Sequence, residues 1–113
     1  MAMSPPWTVT PEKVRSAIQR IIEISRPKKL IVFGSYARQA LRTHSDFDIL
    51  VIVDDSVKDR REESIRIRRQ LRGILMPMDI LVVSENEFQK LSVVPGLVYR
   101  QVLQEGKVVY EAA

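Results

Sequence analysis

Two aspartates one residue apart, Asp46 and Asp48, stand at the start of the apolar segment FDILVIV. Carboxylates are poor strand formers and are costly to bury, so neither strand propensity nor packing accounts for them. Because side chains alternate along a strand, Asp46 and Asp48 should project from one face with Cα atoms roughly 6.5 Å apart. Two oxygen-bearing groups at that separation can bracket a hard cation.

A third carboxylate, Asp79, opens another apolar segment, MDILVV. If the two segments form neighbouring strands, the three acids converge at one end of a sheet and repel one another unless a cation neutralises them. Mg²⁺ is the natural candidate, because it prefers a few carboxylates, several waters and substrate phosphates. Two such ions would stabilise both the entering and the leaving oxygen of an in-line displacement.

The dipeptide Gly34-Ser35 follows the apolar segment KKLIVF. Glycine lets a phosphate approach the backbone, and a serine hydroxyl with the following helix amides can donate to its oxygens. A metal cluster beside a phosphate site indicates phosphoryl or nucleotidyl transfer, in which one carboxylate can assist deprotonation of the nucleophile. A lone D-x-D or Gly-Ser is common in loops, so the prediction depends on their occurring together.

The elements that must position these residues alternate along the chain. A helix follows Thr10-Pro11-Glu12 and ends near Pro27, and a brief helix covers Tyr36 to Leu41. A third helix, about Val57 to Leu75, turns four apolar residues inward: Ile67, Leu71, Ile74 and Leu75. Strands are predicted at KKLIVF, FDILVIV, MPMDILVV and, at a sheet edge, KVVYE. A fourth helix begins at a capping box, Ser84–Glu87, and a fifth helix spans 95–104. The pattern predicts an α/β fold with a small mixed sheet flanked by helices.

The length and composition of the chain limit its possible functions further. Its 113 residues suit one domain, 1–113, with residues 1–9 as a flexible arm. No apolar run approaches the length of about 20 residues that a membrane span needs, and no signal-peptide pattern is seen, so we expect a cytoplasmic protein without membrane contact. The absence of cysteine excludes thiolate metal sites and cysteine nucleophiles.

The formal net charge of +4 would suit a nucleotide or another anionic partner. Much of the positive charge lies between Lys58 and Arg72, mixed with acids, which is typical of the solvated face of a helix. Direct nucleic-acid binding is therefore not expected, and contact of this face with phosphate or RNA stays an open alternative. Arg66 and Arg69 are candidates for contact with an acidic partner, and His44 is interpreted as a loop residue.

The run GSYAR, from Gly34 to Arg38, followed by SDFDIL from Ser45, resembles the signature of the minimal nucleotidyltransferases of the DNA polymerase β superfamily. The resemblance spans nearly the whole chain and implies a polymerase β-like nucleotidyltransferase fold. It implies that Asp46, Asp48 and Asp79 are the metal ligands and catalytic acids, that Gly34 and Ser35 hold the nucleoside triphosphate, and that Arg38 contacts phosphate or supports the local fold. Gln39 stands where the family usually carries glycine.

Members of this family often pair with a small helical HEPN protein, a ribonuclease toxin. The resemblance therefore implies an antitoxin that uses ATP and Mg²⁺ to transfer AMP to a tyrosine of that partner. Two alternatives stay open. One is a binding module that neutralises its partner by occlusion alone, and the other is nucleotidyl transfer to a small molecule, which needs a further domain or a dimer.

Overall fold

In the computed structural model, which describes residues 5–37 and 46–113, four strands form one mixed sheet. The strands are β1 (Lys29–Phe33), β2 (Phe47–Val53), β3 (Met78–Ser84) and β4 (Lys107–Glu111), in the order β3-β2-β1-β4. β1 is antiparallel to both β2 and β4, and β2 is parallel to β3. The predicted mixed α/β architecture is confirmed.

Helices cover both faces of the sheet. They are α1 (Pro11–Ser25), α2 (Gly34–Ala37), α3 (Arg60–Gln70), α4 (Glu85–Leu91) and α5 (Val98–Glu105). Alternate residues of β2 divide between two cores: Phe47, Ile49, Val51 and Val53 pack with α1 and α3, and Leu50 and Ile52 pack with α4 and α5. Burial on both faces explains why this strand is a continuous apolar run.

Helix ends follow the capping residues. The Thr10 hydroxyl accepts a hydrogen bond from the Lys13 amide at 3.3 Å and begins α1, as predicted. Asp59 accepts from the Glu62 amide at 3.0 Å and begins α3. Ser84 accepts from the Glu87 amide at 3.2 Å, which confirms that this serine caps α4.

Four predicted helix boundaries were wrong. α3 begins at Arg60 and not near Val57. α3 ends at Gln70 because the chain turns through Gly73, whose φ is +93°, and Leu75 is 62% exposed instead of facing inward. α2 begins at Gly34 and not at Tyr36, and residues 38–41 of that predicted helix lie outside the described residues. α5 begins at Val98 and not at residue 95.

The described part of the amino-terminal arm lies beside α1. The Lys13 ammonium donates to the carbonyls of Thr8 at 2.8 Å and Leu75 at 2.7 Å, and Val9 packs against the core. Among the described helices, none combines the length and the apolar character needed to cross a membrane.

Candidate active site

Asp48 and Asp79 are direct register partners across the parallel pair β2–β3. Neighbouring strands lie about 4.8 Å apart, and side chains of register partners leave the same face of the sheet, so the two carboxylates stand side by side. That face is the one covered further along by α4 and α5, since Leu50 of the same strand packs there. Asp48 is half-buried and Asp79 is exposed. The two strands are neighbours, as convergence of these acids requires.

Asp46 lies at the rim of this arrangement. It is exposed and precedes β2 by one residue. The Phe47 amide donates to the Pro77 carbonyl at 2.9 Å, which holds the starts of β2 and β3 together. Within residues 5–37 and 46–113, no three acidic, histidine or cysteine side chains are grouped closely enough to hold a metal ion. The structure thus pairs Asp48 with Asp79 but does not assemble all three acids into one cluster.

Gly34, directly after β1, contacts the Asp48 carboxylate. It follows β1, in which Phe33 is the register partner of Asp48, and its φ is +70°. A Cβ atom placed on Gly34 would overlap the Asp48 Oδ2 atom. Glycine is therefore required twice, for the left-handed backbone and for the space that the carboxylate occupies. Sequence reasoning linked Gly34 to a phosphate and missed its contact with Asp48, because that contact depends on which strands pair.

The other predicted nucleotide-binding residues are Ser35 and Arg38. The backbone of Ser35 belongs to α2, directly after Gly34. Arg38, Gln39 and His44 lie outside the described residues. The roles of Ser35 and Arg38 therefore stay predictions.

The pair Asp48 and Asp79 fits a hard divalent cation by its chemistry. Both residues offer carboxylate oxygens, and Mg²⁺ in phosphoryl-transfer sites uses one or two carboxylates and completes its coordination with water and substrate phosphates. A site with two adjacent carboxylates and an exposed third acid at its rim meets that requirement without a complete protein cage. These residues could hold Mg²⁺.

The most buried carboxylate described belongs to a structural contact away from this site. Glu63 of α3 is 8% exposed. Its Oε2 atom accepts from the Ser25 hydroxyl at 2.5 Å, and its Oε1 atom accepts from Arg66 Nε at 3.1 Å. Arg66 Nη2 also donates to the Ile24 carbonyl at 2.8 Å. Arg66 thus joins α3 to the end of α1, which the interpretation of Arg66 as a partner-binding residue did not foresee.

A model of the family described as polymerase beta nucleotidyltransferase matches residues 16–113. The chain belongs to this family. A protein of Methanocaldococcus jannaschii assigned as a protein adenylyltransferase is 36% identical over 88 residues, which cover 75% of this chain and 80% of the relative. The predicted nucleotidyltransferase is confirmed by these two matches.

Solved structures with low sequence identity share the fold. A toxin–antitoxin crystal structure with AMP-PNP aligns with a TM-score of 0.56 at 20% identity, covering 92% of this chain and 75% of that chain. A mutant of the toxin–antitoxin MntA–HpeT aligns with a TM-score of 0.55 at 19% identity, covering 87% and 72%. A structure from Sulfolobus solfataricus assigned as a nucleotidyltransferase gives 0.56 at 17% identity, covering 91% and 90%.

Proposed function

We propose that this nucleotidyltransferase transfers AMP from ATP to a tyrosine of a small helical HEPN toxin and so acts as its antitoxin, with Mg²⁺ as cofactor. The observation that carries the proposal is the register pairing of Asp48 with Asp79, with Gly34 against the first of them. The M. jannaschii relative supports a protein acceptor. The toxin–antitoxin neighbours, one of them bound to AMP-PNP, support this setting and an adenine nucleotide.

Each site residue has a role in this reaction. Gly34, Ser35 and Arg38 bind the triphosphate, and Asp46, Asp48 and Asp79 hold Mg²⁺, which when bound supplies positive charge to the phosphates. The tyrosine hydroxyl oxygen forms a bond to the α-phosphorus, the bond from that phosphorus to the pyrophosphate oxygen breaks, and pyrophosphate leaves. Asp79 accepts the hydroxyl proton, because it is the exposed member of the pair and therefore reachable by the acceptor.

An exposed apolar surface supports a protein partner. It consists of Val93, Val94, Leu97 and Val98, which are 67%, 39%, 40% and 38% exposed. These residues lead into α5, and α5 packs against α2, the helix that begins at Gly34. Several large apolar side chains exposed within six residues of the chain favour an interaction surface. A partner seated here would lie on the side of the sheet that carries the two acids.

Mass spectrometry tests the transfer. The chain, its cognate HEPN protein, ATP and Mg²⁺ are expected to yield partner molecules heavier by one AMP or more, with the label on tyrosine. Asp48→Asn and Asp79→Asn should each abolish labelling while the proteins stay folded. Asp54→Asn is the matched control, because Asp54 is an exposed acid directly after the opposite end of β2. An unlabelled partner in an authenticated complex would contradict the proposal.

A second candidate is neutralisation by occlusion. It is favoured by the same exposed valines and leucine, which a partner can cover whether or not transfer occurs. Toxin rescue in cells separates the two. If the double variant Asp46→Ala, Asp48→Ala still forms the complex and still protects, occlusion is sufficient. Loss of protection with retained complex formation supports catalysis.

A further inference from the structure

We propose that the outer edge of β3 binds an extended, acidic segment of the acceptor protein and guides it past Asp79. This inference rests on the proposed protein acceptor and adds where and how that acceptor binds. β3 is the first strand of the sheet, and within the described residues its outer edge has no strand partner. An open strand edge can bind an added strand through main-chain hydrogen bonds.

Two hydrogen bonds define which backbone groups of β3 point outward. The Pro77 carbonyl accepts from the Phe47 amide and therefore points toward β2. Because direction alternates along a strand, the backbone groups of Ile80 and Val82 point away from β2. The second hydrogen bond supports this direction. The Nη2 atom of Arg68, on α3, donates to the Ile80 carbonyl at 3.4 Å, so this carbonyl points away from β2. The amides of Ile80 and Val82 therefore face the open side, while the outward carbonyl of Ile80 accepts from Arg68.

The two edges of the sheet differ in how well they are protected. β4, at the other edge, has an irregular register against β1 near Ile31 and carries charged residues at both ends, Lys107 and Glu111. Bulges and edge charges are common protections against strand addition. β3 pairs with β2 without a register shift over all seven residues, MDILVVS, and its one charged residue is Asp79, near its start. β3 is the edge suited to an added strand.

A groove beside this edge carries positive charge. It runs between the start of α3 and β3, and its lining includes Lys58, Arg60, Arg61, Ile80 and Val82. The one acid in the lining, Asp59, is occupied as the cap of α3, and Arg60 is paired with Glu87. Lys58 and Arg61 are exposed. Charge complementarity therefore favours an acidic segment.

The position of Asp79 links this groove to the reaction. Asp79 directly precedes Ile80 on β3 and is the exposed acid of the pair. A residue of an added strand opposite Asp79 would lie about 4.8 Å from it, one strand spacing, and about twice that from Asp48. A tyrosine at that position would place its hydroxyl beside the acids. The edge thus delivers the acceptor as an extended chain.

Two synthetic peptides test the inference. Both are unstructured and contain one central tyrosine, flanked by alternating glutamate and valine in the first and by alternating lysine and valine in the second. With ATP and Mg²⁺, the intact chain should label the acidic peptide at least ten-fold faster than the basic one. Hydrogen exchange in the presence of the acidic peptide should slow at the Ile80 and Val82 amides, which reports binding independently of catalysis.

Variants separate the contribution of the β3 main-chain hydrogen bonds from that of the basic groove. Val82→Pro removes an outward amide without removing a bond to β2, and proline is tolerated on strand edges in that orientation. It should raise the KM for the acidic peptide at least ten-fold and leave the KM for ATP unchanged, and Val82→Thr, which keeps the amide, should not. Lys58→Glu with Arg61→Glu should reverse the peptide preference. Arg15→Glu, at an exposed arginine of α1 outside the groove lining, should leave it unchanged.

Several outcomes would overturn the inference. These are equal labelling of both peptides, no labelling of either, unchanged hydrogen exchange at Ile80 and Val82, and displacement of the acidic peptide by a single-stranded RNA that slows exchange at the same two amides. If the HEPN partner is nevertheless labelled by the wild-type chain, only the docking site is wrong and the proposed function stands. If the partner is not labelled either, the proposed function fails as well.

Discussion

Gly34 is the residue at which backbone conformation and site chemistry meet. Gly34→Ala must place a Cβ both at a φ of +70° and on the Asp48 carboxylate. We expect the variant to lose about 2–4 kcal/mol in the free energy of unfolding, from backbone strain and overpacking together. Transfer activity should fall by about 100-fold, because a displacement of about 1 Å in a reacting group has that effect. Urea denaturation and the labelling rate measure the two effects.

Gly73→Ala is the matched control for this substitution. Gly73 also has a positive φ, +93°, but a Cβ there would meet nothing within 4 Å. It should carry the backbone strain alone, about 1–2 kcal/mol, with unchanged activity. If Gly34→Ala behaved like Gly73→Ala in both assays, the contact between Gly34 and the Asp48 carboxylate would have no functional importance.

Arg66 and Arg69, treated alike at the level of sequence, differ in what they contact. Both belong to α3, but Arg66 donates to Glu63 and to the Ile24 carbonyl. Its side chain is 52% exposed, so solvent screens the ion pair and we expect Arg66→Ala to destabilise by only about 1–2 kcal/mol. Arg69→Ala should change stability by less than about 0.5 kcal/mol. Equal midpoints of urea denaturation for the two variants would show that the contact between α1 and α3 adds no stability.

At the scale of whole elements, the sequence predicts best where one local signal decides the outcome. The strand FDILVIV was predicted with its observed limits because its residues other than Asp48 are apolar and an acid flanks each end, Asp46 and Asp54. Thr10 and Ser84 were recognised because a cap is a contact over three residues. α3 was predicted too long, since Ile74 and Leu75 continue the helical spacing of apolar residues past Gly73.

What the sequence could not give is the pairing between elements. Asp48 and Asp79 are both visible as acids at strand starts, yet only the parallel register of β2 and β3 makes them neighbours. The contact between Gly34 and Asp48 likewise needs β1 beside β2. The reaction class was therefore predictable from residue types and the family signature, whereas the division into a paired and a rim carboxylate depends on tertiary structure.

At the scale of the whole molecule, nucleotide binding should increase the free energy of unfolding. A ligand that binds only the folded chain stabilises it by about 2.7 kcal/mol at a hundred times its Kd. For a domain of this size, at about 4 °C for each kcal/mol, ATP with Mg²⁺ at that concentration should raise the Tm by roughly 10 °C. The net charge of +4 adds attraction for the triphosphate, which should weaken as salt is added.

Chelating Mg²⁺ with EDTA shows how much of the ATP-induced increase in Tm depends on the metal and how much on the phosphate-binding residues. With EDTA present, ATP should retain only the smaller Tm increase that the phosphate-binding residues support, because the carboxylates of Asp48 and Asp79 then repel the triphosphate without a bridging cation. Asp79→Asn should reduce the difference between the two conditions, whereas Asp54→Asn at the far end of β2 should preserve it. Thermal unfolding of the three proteins, each with and without EDTA, measures this difference. An ATP-induced increase in Tm that is the same with and without Mg²⁺ would mean that the paired carboxylates do not bind the nucleotide through a metal, and the reaction would then need a different source of positive charge at the phosphates.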